Sequence, residues 1–173
     1  MIKIRQLTLD DKDKLFNLIE MVEASLVDKS FWLPIKETAK ENFFNESWTI
    51  FMGAFDEDYL IGASALFLNE YEYKETINEL KLQNNLKFAE IGRCMVHPKY
   101  RGKNLMYKLN KELITISTQL NVDYIVSTVH PLNIPSNKSM LKLGMDKAGF
   151  YIKDNIYPRN IYIYNILRHR HLL

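Results

Sequence analysis

The amino-acid sequence predicts one α/β domain over residues 1–173, with a mixed sheet that carries helices on its faces. Three observations support this fold class. A chain of 173 residues that is 47% hydrophobic is long enough to bury one core. Strand-like alternating runs and segments with apolar residues at helical spacing follow each other along the chain. No repeat, linker or low-complexity tract divides it.

The first half of the chain begins with a strand and two helices. IKIRQL predicts the first strand, and Leu15, Leu18, Ile19 and Val22 stand at helical spacing after it. A second helix is predicted over residues 35–44. The runs WTIFMGAF and LIGASALFL, joined by the acidic turn DEDY, predict a hairpin. The polar segment that follows, over residues 70–86, fits either a short helix or a loop insertion, and both alternatives stay open.

The second half alternates strand and helix before a final pair of strands. KFAEIGRCMV predicts a strand that ends in the turn HPKYRG, and a helix is predicted from Leu105 to Gln119. VDYIVSTV is nearly continuously apolar, which is typical of a buried parallel strand. A short helix over residues 135–143 ends before Gly144, and strands are predicted near residues 147–152 and 160–167.

Charge and composition narrow the function classes. The net charge of +2 arises from 23 basic and 21 acidic residues, which is too balanced to indicate nucleic-acid binding. No apolar run approaches the ~18 residues that span a bilayer, so no membrane partner is expected. Acidic residues stand where a signal peptide has its apolar stretch, and we therefore expect a cytoplasmic protein. The single cysteine, Cys94, excludes an internal disulfide and a CxxC metal site, and the basic end RHRHLL is not expected to bind a metal.

The turn after the fourth predicted strand is the first candidate binding site. A strand that ends in a glycine-containing turn and opens a helix leaves backbone N–H groups without partners. Together with the helix dipole these groups favour an anion such as a pyrophosphate, and Arg101 and Lys103 add positive charge beside them. On these residues alone, a solvated basic loop is the simpler interpretation.

The segment CMVHPKYRGKNLM resembles motif A of the GNAT superfamily of N-acetyltransferases. In that motif an Arg or Gln is followed by Gly and then by Gly or Ala at fixed spacing, after a strand that ends in Val-x-Pro. The family's backbone amides here hold the pyrophosphate of coenzyme A. The resemblance therefore implies that the cofactor contacts are Arg101, Gly102, Lys103, Asn104, Leu105 and Met106. Two of these depart from the motif, since Asn104 and Met106 replace small residues, although Asn tolerates positive φ well.

A second segment, NIPSNKSMLKLGM, resembles a helix of acetyltransferases that act on the N-termini of ribosomal proteins. In those enzymes the residues matching Asn133 and Ser136 contact coenzyme A, and both residue types also cap helices well. The resemblance implies a GNAT-like fold. Such a fold has a mixed, mostly antiparallel sheet of six to seven strands, splayed between strands 4 and 5 and flanked by about four helices.

The resemblance also implies the chemistry, which is direct transfer of an acetyl group from acetyl-CoA to a primary amine of a small molecule or peptide. Glu90 matches the general base of related enzymes, although it could instead pair with Arg93. His130 could act as the base, or it could bond the proline-containing turn. The family also uses backbone N–H groups of the fourth strand. These would be Cys94 toward the acetyl oxygen, with Met95 and Val96 beside the pantetheine.

Three questions stay open at this point. The slot of the family's thiolate-protonating Tyr holds Met140, which leaves Ser139 and Tyr107 as alternatives. For acceptor selection, an aromatic wall and an acid (Phe31, Trp32 and Asp28) and a hairpin arginine for a substrate carboxylate (Arg159) are the candidates. A non-catalytic acyl-CoA-binding module and transfer of a longer acyl chain are the alternative functions, and the chain is compatible with a homodimer.

Overall fold

The computed structural model describes residues 1–83 and 85–169 and contains one seven-stranded sheet in the order β1-β2-β3-β4-β5-β7-β6. The strands are β1 (Ile2–Gln6), β2 (Thr49–Asp56), β3 (Tyr59–Phe67), β4 (Phe88–Val96), β5 (Tyr124–Val129), β6 (Asp146–Lys153) and β7 (Tyr157–Asn165). The last four residues of the basic end RHRHLL lie outside the described residues. The mixed α/β architecture is thereby confirmed.

The centre of the sheet is its one parallel junction. β4 pairs with β5 in parallel, and all other neighbouring strands are antiparallel. The parallel pairing covers only three residue pairs and ends at Glu90 with Val126, although both strands continue. The splay between strands 4 and 5 is therefore confirmed. On its other edge β4 shifts register against β3 between Ala63 and Ala65, and Arg93 adopts φ +49° there.

Six α-helices flank the sheet in the described residues, two more than expected. They are α1 (Lys12–Ala24), α2 (Glu37–Glu41), α3 (Glu70–Glu79), α4 (Leu105–Gln119), α5 (Ile134–Lys142) and α6 (Ile166–His169). The polar segment left open as helix or loop forms α3, which Asn69 caps by accepting from the backbone of Tyr71. β7 ends earlier than predicted because the chain turns into α6 at Ile166, whose N–H donates to Asp123 O. The predicted second helix is shorter, since only residues 37–41 are α-helical.

The two faces of the sheet bury different helices. On one face α4 packs Leu105, Leu109 and Leu113, a stripe at helical spacing, against the central strands. On the other face α1 packs Leu15 and Leu18 in the same way. Near the parallel junction, Ile77 of α3 packs against Phe88 of β4 and Val126 of β5 in a smaller cluster. No helix in the described part of the chain is both long and apolar enough for a bilayer crossing.

Candidate active site

A cleft of about 1390 Å³ opens where β4 and β5 part. One end is lined by the loop after β4, the head of α4 and α5. The other end is lined by the loop between α1 and α2, by α3 and by the β6–β7 hairpin. Because the strands separate, both faces of the sheet reach this cleft. Two molecules that approach from opposite faces can therefore meet beside β4.

The first end of the cleft has the properties of an anion site. Gly102 has φ +79° and open space where a Cβ would stand, and Asn104 has φ +62° at the head of α4. Within residues 1–83 and 85–169, no atom accepts a hydrogen bond from the backbone N–H groups of residues 102–106. A 15-residue helix adds its dipole behind them. These groups suit a pyrophosphate.

Two side chains of this loop have hydrogen-bond partners on neighbouring elements, and a third lines the cleft. Asn104 accepts from Lys142 Nζ of α5 at 2.9 Å, so its side chain is turned toward α5. Met106 lines the cleft and is only partly buried. The guanidinium of Arg101 donates to Ser25 Oγ at 2.9 Å and to Val96 O at 3.4 Å. Arg101 therefore connects the loop to β4 and to the end of α1.

Asn133 and Ser136 lie on the wall of the cleft at the start of α5. Asn133 accepts from the backbone of Ser136 at 3.5 Å as the N-cap, which is one of the two roles expected of it. Their neighbour Asn137 does not line the cleft but holds the loop beside it, and no sequence motif pointed to it. Its buried amide donates to the carbonyls of His130 and Asn133 and accepts from Tyr162, which fixes the loop between β5 and α5.

Glu90 is the last residue of β4 before the strands part. Its side chain is 7% exposed, and its Oε2 has no hydrogen-bond partner among the described residues. Burial raises the pKa of Glu90 to about 7, opposed in part by Lys153. Glu72 of α3 raises it further, and burial also raises the pKa of Glu72 itself. No motif pointed to Glu72 or Lys153, because their place in the cleft depends on long-range packing.

Arg93 connects β4 to the loop between α1 and α2, which lines the second end of the cleft. It does not form an ion pair with Glu90. Its guanidinium donates to the carbonyl oxygens of Leu33 and Pro34 and stacks over the Trp32 ring at 5.1 Å. Burial lowers the pKa of Arg93 to about 10, which leaves it charged at neutral pH. Trp32 is thus held as a wall of the cleft, as expected for the loop after α1.

Cys94 points into a buried polar cluster behind the cleft. Its Sγ lies 3.1 Å from Ser64 Oγ and 3.6 Å from Asn110 Oδ1. Burial raises the pKa of the Cys94 thiol, which keeps it protonated and unreactive. Directly after β4, His97 N–H donates to Ile61 O of β3. Because N–H groups alternate between the edges of a strand, that of Val96 points to the cleft edge.

His130 follows β5 and is 7% exposed. Its Nδ1 accepts the N–H of Leu132 at 3.1 Å, and the Phe31 ring lies against it with centroids 4.9 Å apart. Burial lowers the pKa of His130, as does nearby Arg159, so the neutral imidazole is favoured. Asp28 accepts from Ser30 at the mouth of this region.

Among the tyrosines of the last hairpin, only Tyr157 lines the cleft together with Arg159. Tyr162 is buried on the α5 face, and Tyr164 stacks on His169. In the Tyr slot of α5, Met140 is buried in the core of that face. Ser139 and Tyr107 are partly exposed at the cleft, and Lys142 lies over the Tyr107 ring at 5.1 Å.

Solved structures share this fold at low sequence identity. An N-acetyltransferase of Staphylococcus aureus Mu50 is 20% identical with a TM-score of 0.72, covering 96% of this chain and 99% of that chain. Arabidopsis thaliana NAA60, solved in complex with acetyl-CoA, is 16% identical with a TM-score of 0.74, and the coverages are again 96% and 99%. The ribosomal-protein-S18-alanine N-acetyltransferase of Escherichia coli is 14% identical with a TM-score of 0.67, covering 96% and 94%.

No curated protein matches the chain. A family model described as the acetyltransferase (GNAT) domain matches residues 2–146, which include β4, the loop after it and the whole of the cleft-lining helix α5 in one stretch. The match spans most of the chain and agrees with the parted strands and with the solved structures of similar fold. The chain therefore belongs to the GNAT acetyltransferase family.

Proposed function

We propose that this protein transfers the acetyl group of acetyl-CoA directly to a primary amine of a small molecule or peptide. One observation carries the proposal. The gap between β4 and β5 has unpaired backbone N–H groups at one end and a buried carboxyl, Glu90, beside its other end. The first suits a diphosphate and the second suits proton removal from an amine.

The residues that would hold acetyl-CoA are those of the anion-binding loop, 101–106, of which all but Lys103 line the cleft, with Asn133 and Ser136 on the facing helix. The N–H of Val96 would bind the pantetheine, and the N–H of Cys94 would donate to the acetyl oxygen as it gains negative charge. Met95, which is buried but lines the cleft, would lie between these two residues beside the pantetheine. When bound, acetyl-CoA supplies an activated acetyl thioester to a nucleophile.

Glu90 is the proposed base. A carboxyl with a pKa of about 7 is half ionised at neutral pH and can accept a proton from an ammonium group, directly or through water. His130 is the weaker candidate, because its Nδ1 lone pair already accepts the N–H of Leu132. Glu72 and Lys153 would set the charge around Glu90 without contacting the reacting atoms.

A non-catalytic acyl-CoA-binding module is the second candidate function. It is favoured by Met140, because a buried methionine in the Tyr slot cannot protonate the leaving thiolate. On the catalytic proposal, the thiolate leaves unaided or takes a proton from Tyr107 or Ser139 at the cleft. The two functions share the cofactor site and differ in turnover alone.

Calorimetry and a thiol-release assay test the proposal in sequence. We expect acetyl-CoA to bind with micromolar affinity and a panel of primary amines to release free thiol. Glu90→Gln should bind acetyl-CoA as the wild type does and lose about 100-fold or more in kcat/KM near neutral pH. Binding with no thiol release from any amine selects the non-catalytic module. Failure of millimolar acetyl-CoA to bind refutes both functions.

A further inference from the structure

Arg159 is the largest fully buried side chain of the protein, at 1% exposure, and it still lines the cleft. Its guanidinium donates to Pro158 O at 2.8 Å and to Ser30 O at 3.0 Å. Both acceptors are neutral carbonyls. A guanidinium has five N–H donors, so these two bonds leave donors for a further group.

The second buried arginine of the cleft, Arg93, has a different electrostatic environment. The carboxylates of Glu72, Glu90 and Glu23 all act favourably on Arg93. Around Arg159, by contrast, no carboxylate of the described residues offsets the burial that lowers its pKa. No carboxylate of the described residues lies within ion-pair distance of Arg159. Burying a charge without a counter-ion is costly, and a ligand carboxylate would offset that cost.

His130 supplies a second donor at the same place. The paired register of β5 and β7 ends at Val129 with Asn160, so His130 and Arg159 are the next residues on the two neighbouring strands. Because Nδ1 of His130 accepts the N–H of Leu132, the neutral ring carries its proton on Nε2. Nε2 has no hydrogen-bond partner among the described residues and is not a buried unsatisfied atom. The cleft therefore receives an N–H donor beside the guanidinium.

Arg159 and Glu90 also open onto the same face of the sheet. Arg159 pairs with Tyr151, whose hydroxyl lies 3.0 Å from Thr76 Oγ1 of α3. Lys153 lies two residues beyond Tyr151 on the same face, and its charge acts on Glu90. A ligand on the α3 face of the cleft would thus have the base on one side and an unpaired cation on the other.

We infer that the acceptor is an amine that also carries a carboxylate, which Arg159 and the Nε2–H of His130 bind while the amine faces Glu90. The inference rests on the proposed function and adds the substrate class. Arg suits this role because its planar fork matches a carboxylate. Asp28, the acid whose charge acts on His130, accepts the N–H and the hydroxyl of Ser30.

Matched acceptors test the inference. The panel contains the α-amino acids, β-alanine and 4-aminobutyrate, each beside its carboxamide and its decarboxylated amine. We expect the best acceptor to be an acid, and its kcat/KM to exceed that of its own carboxamide by about 10- to 100-fold, mainly through KM. The carboxamide arm separates a carboxylate requirement from a requirement for size. An equal or higher kcat/KM for the carboxamides would overturn the inference.

Variants of Arg159 test whether this residue causes the preference for acids over carboxamides. Arg159→Met should bring the ratio of acid to carboxamide close to one, and Arg159→Lys should restore part of it. The matched control Arg168→Met, an exposed arginine of α6, should leave the ratio unchanged. A wild-type ratio in a folded Arg159→Met protein would overturn the assignment.

A binding experiment tests the inference without requiring turnover or a variant. N-acetylated products of the panel and their carboxamides are titrated by calorimetry into the wild-type protein saturated with coenzyme A. We expect the acids to bind about 10-fold or more tightly than the carboxamides. Equal affinities contradict the inference. Failure of the proposed function would look different, since no acceptor would release thiol although acetyl-CoA binds.

Discussion

Lys142 of α5 donates to Asn104 Oδ1 at the head of α4 across 2.9 Å, and it thereby connects the two segments that resembled the family's motifs. Asn104 adopts φ +62°, the left-handed conformation for which the motif uses glycine. Asn is the non-glycine residue that best tolerates this conformation. The departure from the motif is therefore compatible with an intact turn, and the side chain gains a partner on the facing helix.

Substitution of Asn104 separates conformation from contact. Asn104→Gly keeps the turn and loses the bond to Lys142, so acetyl-CoA affinity should stay within about threefold of wild type. Asn104→Val places a β-branched residue at positive φ, which should cost about 1–2 kcal/mol and weaken binding about 10-fold. Calorimetry measures both, and Lys142→Met is the control for loss of the bond alone. Equal binding by the Gly and Val variants would contradict this account.

Protonation of Glu90 should cause kcat/KM to fall on the acidic limb of the pH profile. Because its pKa is raised to about 7, kcat/KM should fall about 10-fold for each pH unit below 7 as the carboxylate is protonated. Glu90→Gln should remove this dependence together with most of the activity. The pH profile of thiol release checks it, with Glu72→Gln as the control that retains the limb. A wild-type profile that stays flat from pH 5 to 8 would exclude Glu90 as the base.

The raised pKa of Glu90 also predicts that the stability of the fold decreases as pH rises, whereas kcat/KM increases. A carboxyl whose folded-state pKa lies above its unfolded value loses stabilisation as pH rises from about 4.5 to 7. Glu90→Gln should therefore raise the free energy of unfolding at pH 8 by about 1–3 kcal/mol, and the gain should vanish near pH 4.5. Denaturant unfolding at the two pH values measures this. A destabilised variant at pH 8 would mean that Glu90 is a structural residue.

The sequence predicted the elements that depend on local patterns. The stripe of Leu105, Leu109 and Leu113 marked α4 with its observed bounds, because helical spacing of apolar residues is a local signal. The alternative for α3 could not be decided in advance. Its two buried residues, Thr76 and Ile77, find partners on β4, β5 and β6 after the sheet has formed.

The candidate site likewise contains residues that local patterns predicted and residues that only the fold brought together. The anion-binding loop could be predicted because a glycine turn before a helix is a contiguous motif, and Glu90 because it is an acid within an apolar run. The burial of Arg159 could not be predicted, since a charged residue on a strand normally indicates an exposed position. Its charge became informative only when the fold placed it in a cleft without a carboxylate beside it.

At position 93 we expect a glycine variant to be more stable than an alanine variant, which reverses the usual order within a strand. Its φ of +49° at the β4 irregularity is costly for any residue with a Cβ. Arg93→Ala and Arg93→Gly both remove the donors to Leu33 and Pro34, so their difference reports the backbone alone. Glycine in a strand is normally less stable than alanine, but here we expect Arg93→Gly to be more stable by about 1 kcal/mol. Denaturant unfolding of the two variants decides it, and a more stable alanine variant would contradict the strain.

The buried pair of Ser64 and Asn110 should behave as one unit. Ser64 Oγ donates to Asn110 Oδ1 at 2.6 Å between β3 and α4, and both side chains are inaccessible to solvent. Asn110→Ala leaves the Ser64 hydroxyl without that acceptor, which should cost about 2 kcal/mol of unfolding free energy. Adding Ser64→Ala should then cost little more, whereas independent residues would give additive losses. A double-mutant cycle measured by denaturant unfolding, with Cys94→Ala as the control for packing in the same cluster, distinguishes the two outcomes. Strict additivity would show that the hydrogen bond does not hold α4 against β3.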